Sequence, residues 1–365
     1  MAKNEAPPFR ADHVGSLLRP PALKEARRRH AEASLDAAGL EGVEDREIER
    51  VVAKQESLGL CAVTDGELRR SWWHLDFLWG LSGVEEHHAD FGTGFVGATP
   101  RTAGVRIAGK IRFEGHPMLA HYRFLHERAR AVPKLTIPAP SALLGRPVLP
   151  PIDAYADRDE LYADLGAAYR AAVSAFAAAG CRYLQLDEVF IAMLCDEQYR
   201  AKMVARGDDP DALLHRYAAL INTAVAGAPP DMTVTLHLCR GNFRSTHMGE
   251  GGYDAVADVL FNEIGVHGYF LEYDDARSGG FEPLRLLPKE KRAALGLVTT
   301  KRGALESKDD LKRRIGAAAK FADLDRLCLA PQCGFASTEE GNALTEDEQW
   351  AKLALVADVA RDVWG

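Results

Sequence analysis

Eight short apolar runs, each followed by a stretch long enough for a helix, constrain this chain more than any other feature. They cover residues 11–15, 60–65, 134–138, 182–187, 232–238, 266–272, 294–299 and 326–331. Parallel strands need long crossover connections, so short strands alternating with helices imply βαβ units. Eight such units predict an α/β fold with a single (β/α)8 TIM barrel over residues 1–365, which the length of 365 residues accommodates.

The stretches between the runs read as helices. Residues 45–58 and 158–179 carry apolar side chains at helical spacing, and Gly180 stands where a C-terminal stop belongs. Residues 211–226 and 254–262 predict two more. Ser307, with Asp310 three residues on, and Thr345 supply N-caps for the last two. Two stretches exceed a minimal barrel. Residues 17–44 predict an extra helix, with Arg27, Arg28, Arg29 and His30 on its solvated face. Residues 77–132 form an insertion after the second strand. Within it, 104–115 alternates Val105, Ile107, Ile111 and Phe113 around Gly109, which reads as a β-hairpin, and 117–130 reads as a helix. An excursion on the catalytic side of a barrel predicts a lid or substrate wall.

Charge narrows the partners. The formal net charge of −8 argues against nucleic acid and offers no basic face to an anionic membrane. No apolar run is long enough to span a bilayer, and the first residues lack the apolar core of a signal peptide. Six cysteines scattered along a large chain read as reduced thiols in a cytoplasm. The expected partners are therefore small molecules.

In such barrels the carboxyl ends of the strands line the active site. Polar residues collect at those ends here. The first run leads to Gly15 and Ser16, the second to Asp65 and Glu67, the fourth to Asp187 and the fifth to His237 and Cys239. The sixth ends in Glu272, the seventh in Thr299, Thr300 and Lys301, and the eighth leads to Cys333. His237 and Cys239 are two apart on a strand and so share a face. An imidazole and a thiolate so placed can grip one soft tetrahedral ion, although such a pair alone reads more readily as a buried histidine and an inert thiol.

Glu272 and Cys333 turn the pair into an expected zinc site of His237, Cys239, Glu272 and Cys333. Two thiolates and a carboxylate make a modest Lewis acid, suited to accepting a substrate thiol, because an added sulfur ligand is a thiolate at neutral pH. Glu272 is the hardest ligand and the one to give way. Cys61, Cys181 and Cys328 read as core, and Cys195 as lying off the site. Asp65, Glu67 and Asp187 are candidates to hold a substrate ammonium, or else to cap the helices that follow. Ser16 is a candidate for a substrate carboxylate. Trp72, Trp73 and Trp79 crowd one loop, either to stack on a flat heteroaromatic ligand or to close a hydrophobic lid.

Six segments carry a resemblance that spans nearly the whole chain. They are Asp12-His-Val-Gly-Ser-Leu-Leu-Arg-Pro20, Thr64-Asp-Gly-Glu-Leu-Arg-Arg70, Tyr183-Leu-Gln-Leu-Asp-Glu188, His237-Leu-Cys-Arg-Gly-Asn242, Phe270-Leu-Glu-Tyr-Asp274 and Ala330-Pro-Gln-Cys-Gly-Phe335. Together they resemble the cobalamin-independent methionine synthase family, in its short bacterial branch with the C-terminal catalytic barrel only. The resemblance implies a zinc-dependent methyltransferase that methylates the thiol of homocysteine to give methionine. It implies zinc ligands at His237, Cys239, Glu272 and Cys333, a homocysteine-binding segment at Val14, Gly15 and Ser16, and amino-group acids at Glu67 and Asp187. The donor it implies is 5-methyltetrahydrofolate carrying several glutamates.

Three departures stand out. Lys301 or a neighbouring threonine occupies the place of the family's proton-donating histidine, and a lysine is the poorer acid at neutral pH unless burial lowers its pKa. Met193 stands near the place of a second acid. The family's N-terminal barrel, part of the folate surface, has no counterpart, which opens the donor to a methylcorrinoid or another small methyl compound. The expected catalytic residues are Lys301 and Asp187, and Trp72 joins the expected substrate wall. The rival readings are zinc-dependent alkylation of another thiol, such as coenzyme M opening an epoxide, a metal-free decarboxylase-like barrel, and a non-catalytic thiol or zinc sensor.

Overall fold

The computed structural model describes residues 6–88, 103–145 and 153–365. Ten strands can be numbered along them. They are β1 (Ala62–Val63), β2 (Ser82–His88), β3 (Ala103–Arg112), β4 (Val132–Pro133), β5 (Leu135–Pro138), β6 (Tyr183–Glu188), β7 (Thr233–Leu238), β8 (Gly268–Glu272), β9 (Arg292–Val298) and β10 (Leu327–Pro331). Six of these, β5 to β10, form one parallel sheet in chain order, and β1 pairs in parallel with β4. Every residue of β5, β6, β8 and β10 is buried, as befits strands covered on both faces.

The two faces differ. Leu184, Leu186, Leu236, Leu238, Leu271 and Leu295 belong to the main core under the helices. On the other face Phe270, Ala294, Cys328 and Ala330 cluster with Val14. That face also buries Lys134, whose ammonium lies 2.6 Å from His13 O and 3.4 Å from Asp12 Oδ1, over the rings of Phe270 and Tyr183. Strand register then decides which strand-end residues are neighbours. Asp187 pairs with His237, and His237 with Phe270.

The helices form as their caps dictate. Asp157 accepts from Glu160 N at 2.8 Å ahead of the helix Arg158–Ala178, which buries Leu161, Leu165, Ala168, Ala172 and Phe176 on one stripe. Ser307 caps Lys308–Ala318, and Thr345 with Glu348 makes a full capping box for Glu346–Trp364. The expected extra helix is Pro21–Ala31, and the next helix, Ala37–Ser57, starts eight residues earlier than the spacing suggests. Among the described residues no helix is long and apolar enough to cross a membrane.

Three local expectations need correction. The run 11–15 makes only a one-residue parallel bridge, Ala11 to Leu329. Asp12 caps the backbone N–H groups of Phe9 and His13 at 3.1 and 2.8 Å, and such side-chain bonds compete with a ladder. The stretch 104–115 is not a hairpin. It lies mostly in one strand, β3, whose antiparallel partner is β2, and Gly109 lies against Gly83 where the register shifts rather than in a turn. Residues 89–102, part of the same insertion, lie outside the described residues.

The stretch 254–262 is not a regular helix either. It begins with a 3-10 turn, Tyr253–Ala255, and ends in a π turn, Val259–Glu263. Tyr269 Oη donates to Leu260 O at 2.6 Å, and Lys291 Nζ to Phe261 O and Ile264 O at 2.7 and 2.6 Å. These bonds satisfy carbonyls that an α-helix end would otherwise leave exposed, so the irregular turn carries little penalty.

Candidate metal centre

The centre sits where β7 ends and the chain passes β10. Ligand atoms of His237, Cys239 and Cys333, all buried, lie within 4.8 Å of one another. The two sulfurs are 3.4 Å apart. His237 Nδ1 lies 3.3 Å from the carbonyl of Phe270, an acceptor only, so the ring proton belongs on Nδ1. Its Nε2 is then a bare lone pair, buried with no hydrogen-bond partner among the described residues. A tetrahedral zinc ion, with bonds of about 2.3 Å to sulfur and 2.0 Å to nitrogen, sets its ligand atoms roughly 3.5–3.8 Å apart. The orphaned Nε2, the sulfur spacing and the soft donor set therefore fit such an ion.

The thiols are already polarised. The Cys239 S–H beside it, then the His237 ring and the Lys301 charge, hold Cys333 well below the ordinary thiol range against its burial. Cys239, sharing that hydrogen bond and buried, is pushed well above it.

Glu272, expected as the fourth ligand, does not join this group. Its Oε2 accepts the Arg240 backbone N–H at 2.5 Å, and its Oε1 is approached by Gln332 Nε2 at 3.3 Å and Arg277 Nη2 at 3.4 Å. A fully buried carboxylate takes the donors nearest to it, and here amides and guanidinium groups supply them. Arg240 is itself anchored, through Tyr253 Oη at 2.9 Å and Gly251 O at 2.7 Å.

Beside the sulfurs lies a second cluster of charge. Glu67 has a left-handed backbone, with φ of +56°, one of few such non-glycine positions. Asp65 explains it. Its Oδ1 accepts Glu67 N–H at 2.7 Å, which closes a tight turn through Gly66 and aims Glu67 inward. Asp65, expected to touch substrate, is thus occupied in shaping this turn. The Glu67 carboxylate accepts from Thr136 Oγ1 at 2.7 Å and forms an ion pair with Arg70. Burial, reinforced by Asp187 against the pull of Arg70, raises its pKa to about 7. Burial also raises Asp187, whose Oδ1 accepts from Gln185 Nε2 at 2.7 Å, while His237 and Arg70 pull the other way.

Gly15 and Ser16 close the ring. A Cβ on Gly15, at φ +143°, would come within 2.5 Å of Glu67 Oε1, and one on Gly334 would collide with Ser16 Oγ. Ser16 thereby abuts the residue after Cys333. Gly15→Ala is expected to displace the Glu67 carboxylate and cost about 1–3 kcal/mol, read as a fall of several degrees in melting temperature. An unchanged melt and an unmoved carboxylate would contradict the packing described.

The remaining expected residues divide. Lys301 reaches the centre, with Nζ 3.4 Å from Asn242 Oδ1. Trp72 does not offer a free face. It is buried, stacked on Phe243 at 6.1 Å and 14° between planes. Trp73 instead packs beside Val189, Met193, Cys239 and Cys333, an apolar wall against the sulfurs. Asn242, Arg70, Gln332 and Thr136 also shape the site and were assigned no role from the sequence. The signal available for the first three was their place in the segments that carry the family resemblance.

The model of the family described as "Cobalamin-independent synthase, Catalytic domain" matches residues 9–361. The uncharacterized Bacillus subtilis (strain 168) proteins YxjH and YxjG are 51% and 50% identical, each over 99% of this chain and 96% of its own length. A Listeria monocytogenes protein, described as a candidate vitamin-B12-independent methionine synthase, has a crystal structure that superposes with a TM-score of 0.80. It is 36% identical and covers 99% of this chain and 100% of its own. A B12-independent methionine synthase from Shewanella sp. W3-18-1, solved with selenomethionine, shares the fold at a TM-score of 0.74 and 19% identity, over 97% of both chains. With strand-end residues in this order and a family match across nearly its whole length, the chain belongs to the cobalamin-independent synthase catalytic-domain family and carries a methionine-synthase-like catalytic domain.

Proposed function

We propose that this protein is a zinc-dependent S-methyltransferase that methylates homocysteine to methionine. The observation that carries the reading is the meeting of His237, Cys239 and Cys333 on one buried site. His237, Cys239 and Cys333, with Glu272 beside them, would hold a zinc ion, which would supply the positive charge that makes an added thiol a thiolate at neutral pH. Glu67 and Asp187 hold the amino group of the acceptor, and Ser16 with the backbone at Gly15 takes its carboxylate. The acceptor sulfur is then directed at the cysteine end of the site. As sulfur bonds to the methyl carbon, the bond from methyl to donor breaks and its electron pair stays with the donor; where the donor is a methylfolate, Lys301 gives a proton to the departing nitrogen. The donor is 5-methyltetrahydrofolate or a methylcorrinoid. A fold neighbour solved with selenomethionine, a close analogue of the product, is in keeping with this.

The same reading takes the chain as one closed (β/α)8 barrel, zinc-loaded in a reducing cytoplasm. Closure is supported by the bridge from Ala11 to β10, the pairing of β1 with β4, and Thr64 Oγ1 donating to Gly15 O at 2.7 Å. The insertion carrying β2 and β3 then serves as a wall over the mouth. All six cysteines are free thiols, as a reducing compartment requires.

Zinc X-ray absorption with and without homocysteine tests the proposal, alongside a methionine assay with each donor. One further sulfur in the first shell is the expected result. An unchanged first shell, or full turnover by zinc-free protein, overturns it. Alkylation of coenzyme M without methionine formation would keep thiol activation and replace the acceptor.

A further inference from the structure

Asn242, three residues past Cys239, is buried with both ends of its amide engaged. Its Nδ2 donates to Gly334 O, next to Cys333, at 2.8 Å, and its Oδ1 accepts from Lys301 Nζ at 3.4 Å. Neighbouring groups make the arrangement stiff. Thr300 N–H and its hydroxyl lie 2.7 and 2.8 Å from Gln332 Oε1. Asn342 Nδ2 donates to Thr300 O at 2.9 Å while its Oδ1 accepts from Ser245 N at 3.0 Å. The segments after β7, β9 and β10 are thus laced together around one side-chain amide. Lys301 is less constrained. Among the described residues its ammonium has no second hydrogen bond, and a lysine head on four rotatable bonds takes no single place without an acceptor.

We propose that Asn242 is the positioning residue for Lys301. Its amide oxygen holds the ammonium beside the segment that follows Cys239, and its NH2 group, anchored on Gly334, ties that oxygen to the turn that follows Cys333. The long 3.4 Å contact is of the kind that tightens when substrate fills the site. The role of Lys301 itself rests on the methyl-transfer reading above. The positioning does not, because it concerns where the ammonium stands.

A double-mutant cycle on the full-length, zinc-loaded protein tests it. Asn242→Ala is expected to lower kcat about 10–100-fold, the range for residues that orient a reacting group. The calorimetric affinity for homocysteine and the zinc content should stay unchanged. In a Lys301→Met background the same substitution should cost nothing further, since its target is gone. Losses that add in the double variant would mark a merely structural residue and overturn the proposal.

A crystal structure of Asn242→Ala supplies a readout independent of turnover. The Lys301 ammonium should shift by about 1 Å or more, enough to matter for chemistry, while both sulfurs stay in place. An unmoved ammonium overturns the proposal whatever the substrate proves to be, whereas a moved ammonium in a protein that makes no methionine would upset only the methyl-transfer reading. If Asn242→Ala does not fold, Asn242→Ser, which keeps a short polar side chain, carries the same expectations.

Discussion

Cys333→Ala and His237→Ala should each lose bound zinc and at least about a thousandfold in methyl transfer, roughly 4 kcal/mol of transition-state stabilisation. The expectation follows from how few donors there are. His237, Cys239 and Cys333 supply the three converging ligand atoms, while Glu272 accepts from Arg240 N–H, Gln332 and Arg277. Removing Cys333 also removes the sulfur that carries the negative charge of the thiol pair. Metal analysis and a methionine assay check both points. Cys181→Ala is the control, since that thiol is buried against Tyr183 O, far from the centre in the fold, and its burial pushes its pKa up to about 12. Full zinc and full activity in either ligand variant would end the zinc assignment.

Glu67→Gln should raise KM for homocysteine about 30-fold or more, the worth of a charge-assisted hydrogen bond of roughly 2–3 kcal/mol. It should also change the pH dependence in two ways. The Glu67 pKa is raised from 4.5 to about 7, so at lower pH the folded site holds a neutral acid. An ammonium needs the ionised form, so affinity for the acceptor should improve as pH rises through about 7 in the native protein and lose that dependence in the variant.

Stability runs the other way. Between pH 4.5 and about 7 the folded state keeps a proton that the unfolded chain has released. This group's contribution is therefore most favourable below 4.5 and declines as pH rises to about 7. The full difference is on the order of 3 kcal/mol. The melting temperature of native protein minus that of Glu67→Gln should fall across that interval. A difference that is flat, or that climbs with pH, would show that Glu67 is not held neutral by its surroundings.

Periodicity made much of the architecture legible. Buried parallel strands read as continuous apolar runs, and β5 to β10 all fall on or within a residue or two of the predicted ones. The misreadings had local causes. Residues 104–115 alternate as a hairpin would, but alternation cannot reveal that the partner strand is β2, across residues 89–102. In the run 11–15, the side-chain bonds of Asp12 replaced the ladder that the apolar pattern suggested. At the site, residue type and strand-end position singled out His237, Cys239, Cys333, Glu67, Asp187 and Lys301. Neither told Asp65, which shapes a turn, from Glu67, which the turn aims inward. Trp72 and Trp73 are adjacent and chemically alike, yet the second packs against the cluster that holds Cys239 and Cys333 while the first stacks on Phe243.

Chain composition and spacing by themselves determined the alternation of strand and helix, the reactive residue types and their placement at strand ends. These are local properties, set by burial and by a period of two along each strand. Folding alone decided which of those residues share a site, because distance between segments remote in sequence depends on strand register and loop packing. It drew Glu272 into the grasp of Arg240, and it gave Asn242, assigned no role from the sequence, a hold on both the Cys333 turn and the Lys301 ammonium. Hydrogen-bond donors buried beside an acceptor will satisfy it wherever the chain has brought them from, and that competition has no signature in one dimension.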